Sequence, residues 1–346
     1  MKQLIFVFSL LSIFLKAQNF ELKDNNLIKY YEIINQAERN IINNNLDNAN
    51  QKYKQAFVIF REPHANDLSN SMKVALKVND LETAYTNYQA LKCLGKNFDN
   101  DFVTNNFKNI EKYKIAPCKN TIDLQYKKTL DSLFTIDQYY RKLSGGNYQA
   151  YKKELTKGDS ITSTNLLKLI QVKGFPNEYN IGLEMNSIAY FHDFYFIIWH
   201  QLASNLYSPQ RVNFSNEIIK ALNAGKIRPD IAGKLLDLNN NTRDYSYFRI
   251  YQFGNGDGTM DCCYISKNLM PENRDDKVKH NVENVNEKRK KIGLSTTEEE
   301  VRKSIFLLNN KDYTFSENVL DGWIFKDPKD IEKFKIGTIK INDTSH

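Results

Sequence analysis

Apolar residues recur at helical spacing through most of the chain, and short polar clusters separate the periodic stretches. The clearest pattern lies between residues 27 and about 98. Asn44-Asn45-Leu46-Asp47-Asn48-Ala49 returns as Asn79-Asp80-Leu81-Glu82-Thr83-Ala84, and Tyr53 returns as Tyr88, each 35 residues later. The unit reads as a helix, a short turn and a second helix. Ala49, Tyr53 and Ala56 stand at i, i+4 and i+7, which is one helix face. Small residues there let two helices approach, and the aromatic fills the space between them.

This unit resembles a tetratricopeptide repeat, which has a period of about 34 and carries Ala, aromatic and Ala at such spacing on its second helix. The Trp and Gly of that repeat's first helix are missing here, and Leu91 stands where the second Ala would. Only two units are visible, so helices from residues 101–116 and 122–143 are expected to cap them. The resemblance implies a curved helical scaffold with a face for a protein or peptide, and it makes Tyr53 and Tyr88 candidate partner-binding residues.

Pro117 and Cys118 break the pattern. Helices are then expected over Ile122–Leu143, Thr164–Val172, Met185–Leu206, Pro209–Ala224, Pro229–Leu238, Val278–Lys291 and Glu298–Leu308. Gly174 followed by Pro176 is a stop signal, and Ser295 with Glu298 has capping-box spacing. Met185–Leu206 is apolar all round, which predicts a central helix. Tyr245–Phe253 reads as strand or extended loop, and its alternating aromatics predict one packed face. The fold class is mainly α: helical-hairpin repeats, then a second helical domain with a short irregular or β segment. The divisions are 1–17, 18–118, 119–308 and a mixed tail, 309–346.

From residue 120 to 308 the chain resembles an uncharacterised bacterial domain family of unknown function. The resemblance is carried by Asp137-Gln138 with Arg141, Gly174-Phe175-Pro176 with Gly182, His200 at the end of an aromatic segment, and Ala224-Gly225 with Pro229, Ala232, Leu235 and Asp237. Asn286, Arg289, Gly293 and Leu294 are similar to its closing Arg-rich helix and Gly-Leu turn. Two motifs depart from the family. Asp237-Leu238 replaces an Asp-Arg pair, and Tyr251-Gln252-Phe253-Gly254 replaces a Tyr-Gly-Thr-Gln motif. The resemblance imports no activity, and it marks Tyr251 and Gln252 as candidate ligand-binding residues.

Composition refines this picture without naming a chemistry. Gly (14) and Pro (7) are scarce, Asn is abundant at 42, and 41% of residues are hydrophobic. These figures fit a helical protein with a substantial core and exclude collagen, a multi-span membrane protein and a disulfide-dense toxin. Lys2 followed by the apolar run Leu4–Leu15 and Ala17 reads as a signal peptide cleaved near Ala17. The run is too short for a membrane span, which needs about 20 residues. The expected location is therefore periplasmic or extracellular. Removing Lys2 and Lys16 lowers the net charge from +7 to +5, with the lysines dispersed, so a nucleic-acid partner is not expected. In an oxidising compartment Cys93 and Cys118 are spaced to bridge, and three connectivities stay open for the four cysteines.

His200 is the leading catalytic candidate, because imidazole titrates near neutrality. Asp137, Arg141 or Asp237 would orient it if their helices converge. His192 and His200 are eight residues apart rather than four, so no zinc helix is read, and no metal or cofactor is expected. An EF-hand placed on Asn255–Asp261 would put Phe253 and Tyr264 at ligand positions 1 and 12, which rejects it. No Gly-x-Ser-x-Gly, phosphate loop or dinucleotide motif occurs. Two functions remain. The first is an exported binding or scaffold protein for a protein or peptide; the alternative is an envelope hydrolase with His200 as general base.

Overall fold

The computed structural model describes residues 20–107, 117–118, 121–188, 190–202, 211–245, 250–254, 257, 259–270, 273–315, 320–324 and 328–340. The signal-like segment 1–17, Leu206, Tyr247, Phe248 and most of the Asn255–Gly258 turn lie outside the described residues.

Four helices form two antiparallel hairpins: α1 (Asn25–Ile42) with α2 (Leu46–Ile59), and α3 (Ala65–Lys77) with α4 (Leu81–Cys93). The 35-residue period is visible in the backbone itself. Asn44 and Asn79, the turn residues, take left-handed φ of 54° and 58°, a conformation asparagine tolerates better than most side chains. Asp80 then caps α4 by accepting from Thr83 N at 3.2 Å, whereas Asn45 makes no side-chain bond at the start of α2. Ala49, Tyr53 and Ala56 are each 0% exposed, and Ala84, Tyr88 and Leu91 are likewise buried. Tyr53 therefore fills the interhelical space, while Tyr88 packs on Tyr85, Phe98 and Phe107 and edges a small surface cavity. Burying such a ring contributes roughly 1.5–3 kcal/mol.

The short α5 (Asn100–Asn106) follows, then α6 (Leu124–Ser144), capped by Asp123 and closed by Gly145 at φ 55°. Helix α7 (Lys152–Lys173) is longer than expected and ends at Gly174. The short α8 (Glu178–Ile181) leads to the main departure from the sequence pattern. Met185 and Asn186 have φ of 47° and 53°, which a right-handed helix cannot contain. The expected long helix is consequently reduced to α9 (Phe194–Trp199) within the described residues. Its Ile197 and Ile198 are fully buried. Then come α10 (Ser215–Asn223), α11 (Pro229–Asn240), α12 (Asp276–Lys291) and α13 (Thr297–Asn309). The capping box of α13 uses Thr296 and Glu299, one residue beyond the Ser295–Glu298 expectation.

A small sheet has the order β3-β1-β2-β4. Strand β1 (Ile250–Gly254) pairs antiparallel with β2 (Met260–Ser266) and parallel with β3 (Leu320–Ile324), while β4 (Thr338–Lys340) adds to β2. Helix α14 (Pro328–Ile336) covers it, with Phe334 against Tyr251 and Phe253. The molecule is mainly α with a short β segment.

The main core does not respect the expected break at residue 118. One buried cluster runs from Leu22 through α1 and α2 into Leu130, Phe194, Phe214, Leu236 and Phe315. The buried Lys303–Glu38 ion pair and the Lys303–Asn35 bond fasten α13 to α1. Cys93 bridges Cys118 with Cα atoms 5.4 Å apart, as their spacing allowed, and Cys262 pairs with its neighbour Cys263.

Candidate functional site

Two places in the fold concentrate chemistry. The first is a buried polar cluster where α6, α7 and the end of α9 meet. Helical spacing puts Asp137 and Arg141 on one face of α6. Arg141 reaches Asp159 on α7, with Nη2 2.7 Å from Oδ1, while Nη1 donates to the Asp137 carbonyl at 2.7 Å. His200 follows Trp199 at the end of α9. Its Nδ1 lies 2.9 and 3.0 Å from the two Asp137 carboxylate oxygens. Gln138 Nε2 also donates to Asp137 Oδ2 at 2.8 Å. This pairing sets the ring tautomer: the Nδ1–H donates to Asp137, and Nε2 carries the lone pair in the neutral ring.

Asp137 and Asp159 are almost fully buried, and the His200 side chain is 20% exposed. Burial pushes the Asp159 carboxyl up, Arg141 pulls it down, and Asp137 adds to the upward push. Asp159 Oδ2 has no hydrogen-bond partner among the described residues. Arg141 lies between the two carboxylates, 3.4 Å from Asp137 Oδ1 and 2.7 Å from Asp159 Oδ1. Removing Arg141 would leave buried carboxylate charge uncompensated, which typically costs 3–5 kcal/mol.

Among the sequence candidates, Asp137, Arg141 and His200 come together. Asp237 does different work. Its Oδ1 accepts from Thr242 Oγ1 at 2.8 Å and Asp244 N at 2.7 Å, and its Oδ2 accepts from Tyr245 N at 3.1 Å. It ties down the chain leaving α11, so the expectation that it orients His200 is corrected in favour of Asp137. Tyr251 and Gln252 lie on β1, with Tyr251 packed on Phe334 and Gln252 opposite Cys262. Asp159 was missed, because nothing in its local spacing distinguishes it from a surface carboxylate. No metal was expected, yet Asp137, Asp159 and His200 bring ligand atoms within 4.8 Å of one another from three helices. Arg141 already holds both carboxylates there, so a cation would compete with it for them.

The second place is an open cleft of 1330 Å3 between the second hairpin and the central helices. Its lining includes Phe57, Arg61, Leu68 and α4 residues between Thr86 and Cys93, together with Ile170, Gln171, Lys173, Gly174, Phe175, Tyr179 and Glu217, Lys220 and Ala221 of α10. The Cys93–Cys118 bridge closes one margin. Tyr179 Oη donates to the Pro63 carbonyl at 2.7 Å, and Lys226 pairs with Glu62, joining separate parts of the lining. Neither His200 nor Asp137 lines this cleft. No family model, curated protein or solved structure matches the chain.

Proposed function

We propose that this chain is an exported helical binding protein that takes a peptide or an extended segment of a partner protein in the cleft between its second hairpin and central helices. The observation that carries the reading is the cleft itself. At 1330 Å3 it exceeds the roughly 300–1,000 Å3 of small-molecule pockets. It combines an apolar floor with amides and charged margins, a lining that suits alternating side chains of an extended peptide. The signal-like first seventeen residues and the Cys93–Cys118 bridge support export.

Binding of residues 18–346 to a displayed peptide library tests this reading. Thr86→Trp combined with Ala224→Trp places two large rings at exposed cleft positions and should abolish capture while leaving thermal unfolding unchanged. Absence of any binder, or binders indifferent to the two rings, would refute it.

A second reading is a hydrolase with His200 as general base and Asp137 as its orienting carboxylate. It is favoured by the 2.9 Å His200–Asp137 contact and by the partial exposure of the imidazole. Asp137→Asn would reverse the hydrogen-bond requirement at Nδ1 and should lower turnover of a fluorogenic ester or amide along with His200→Gln. If wild type hydrolyses neither substrate class faster than His200→Gln, this reading is dismissed.

A further inference from the structure

Resting on the binding reading, we infer that the cleft recognises an extended peptide carrying carboxylates, with Arg61 and Lys220 as the two anion contacts. The argument is a charge count along the walls. Four cations line the cleft: Arg61, Lys173, Lys220 and Lys226. Lys226 pairs with Glu62, and Lys173 is held 3.0 Å from Asp123. Arg61 and Lys220 are exposed, and neither side chain has an ion pair or hydrogen bond among the described residues. Arg61 lies in the connection between α2 and α3, and Lys220 lies on α10.

Glu217, one turn from Lys220, is the single carboxylate of the lining without an ion pair among the described residues. The unpaired charge is therefore two positive against one negative. Two unpaired cations in a lining that also holds the apolar Leu68 and Phe175 suit an extended chain that carries both acidic and apolar side chains. Two cations are too few to neutralise a nucleic-acid backbone, where a protein makes about 6–10 phosphate contacts. Arg61 brings a planar fork that can hold a carboxylate with two parallel bonds, and Lys220 brings a flexible point charge.

The test is fluorescence anisotropy of residues 18–346 with labelled dodecapeptides of alternating leucine and a variable polar residue. The variable residue is Glu, Gln or Lys in three amidated peptides. A fourth peptide, the Gln sequence with a free terminal carboxylate, separates a chain end from acidic side chains as the source of the anion. Exposed ion pairs are worth about a two- to fivefold change each, so the Glu peptide should bind roughly 5–20-fold more tightly than the Gln peptide at low salt. High salt should narrow that gap. Arg61→Gln with Lys220→Gln should erase it without weakening the Gln peptide. A gain confined to the free-carboxylate peptide, lost in the same double variant, places a chain terminus in the cleft and overturns the assignment to acidic side chains.

Equal binding of Glu and Gln peptides, or a preference that survives in the double variant, overturns the inference. The binding reading then still stands if Thr86→Trp with Ala224→Trp blocks all of them. Should no peptide bind, both fail.

Discussion

Glu38 is 4% exposed, and its carboxylate pairs with the equally buried Lys303 at 2.5 Å. Burial pushes its carboxyl up to about 7, against the downward pull of Lys303. The folded state therefore holds this proton more tightly than the unfolded chain does. Its contribution to stability is fully present below about pH 4.5 and is lost as the pH rises to about 7. Glu38→Gln should flatten the wild-type decline across that window, a difference of up to about 3 kcal/mol; urea unfolding at pH 5 and pH 8 measures it. Equal slopes for the two proteins would contradict the assignment. The opposite case is Glu178: burial pushes it up, yet bonds from His64 and the Ala65 N–H hold it at about 2. Its contribution is lost as pH falls through the acid range. Backbone constraints act on the same scale. Gly293 has φ +89°, and a Cβ there would lie 2.7 Å from Tyr31 Cδ2. Combining that clash with the left-handed backbone, Gly293→Ala should cost about 2–4 kcal/mol in equilibrium unfolding.

At the level of elements, the repeat was the most legible feature of the chain, because its determinants are local. A left-handed Asn and an Ala–aromatic face fall within one stretch of each unit. The two units are not equivalent, however. Asp80 accepts from Thr83 N, Asn50 Nδ2 and Lys54 Nζ, and these bonds hold its carboxyl at about 2 despite some burial. Asp80→Ala should therefore destabilise the protein by about 1–2 kcal/mol, whereas Asn45→Ala, which loses no cap bond, should cost less. Thermal unfolding of the two single variants decides this. The α9 region was misread for a physical reason. Its apolar run satisfies the pattern of a buried helix, but the backbone turns through left-handed residues at Met185 and Asn186. Hydrophobic periodicity records which residues are buried and is blind to such a turn when no Gly or Pro marks it.

Across the whole molecule, the shared core couples regions far apart in sequence. Helices α1 and α2 bury their faces against residues between 126 and 315. Residues 119–346 expressed alone should lack a cooperative unfolding transition, because they lose the partner surface of α1 and α2; a cooperative melt like that of the full chain would disprove this coupling. The Cys93–Cys118 bridge closes a loop of 25 residues' separation at the edge of the cleft. Cys93→Ala with Cys118→Ala should lower stability by about 3–4 kcal/mol and weaken peptide capture. No helix among the described residues is long and apolar enough to cross a membrane.

Local patterning alone was enough for the helical character, the two hairpins, most helix ends and three members of the four-residue cluster, Asp137, Arg141 and His200. These depend on short-range rules: period, caps, turn residues and the i, i+4 spacing of Asp137 and Arg141. Packing between distant segments decides that Asp159 completes the cluster, that Asp237 anchors a loop, that the Tyr53 ring is buried and that the second hairpin and central helices border a cleft. Each of these depends on which helix faces pack together, and that is set by the sum of many weak, non-directional apolar contacts between distant residues. No local motif encodes that sum.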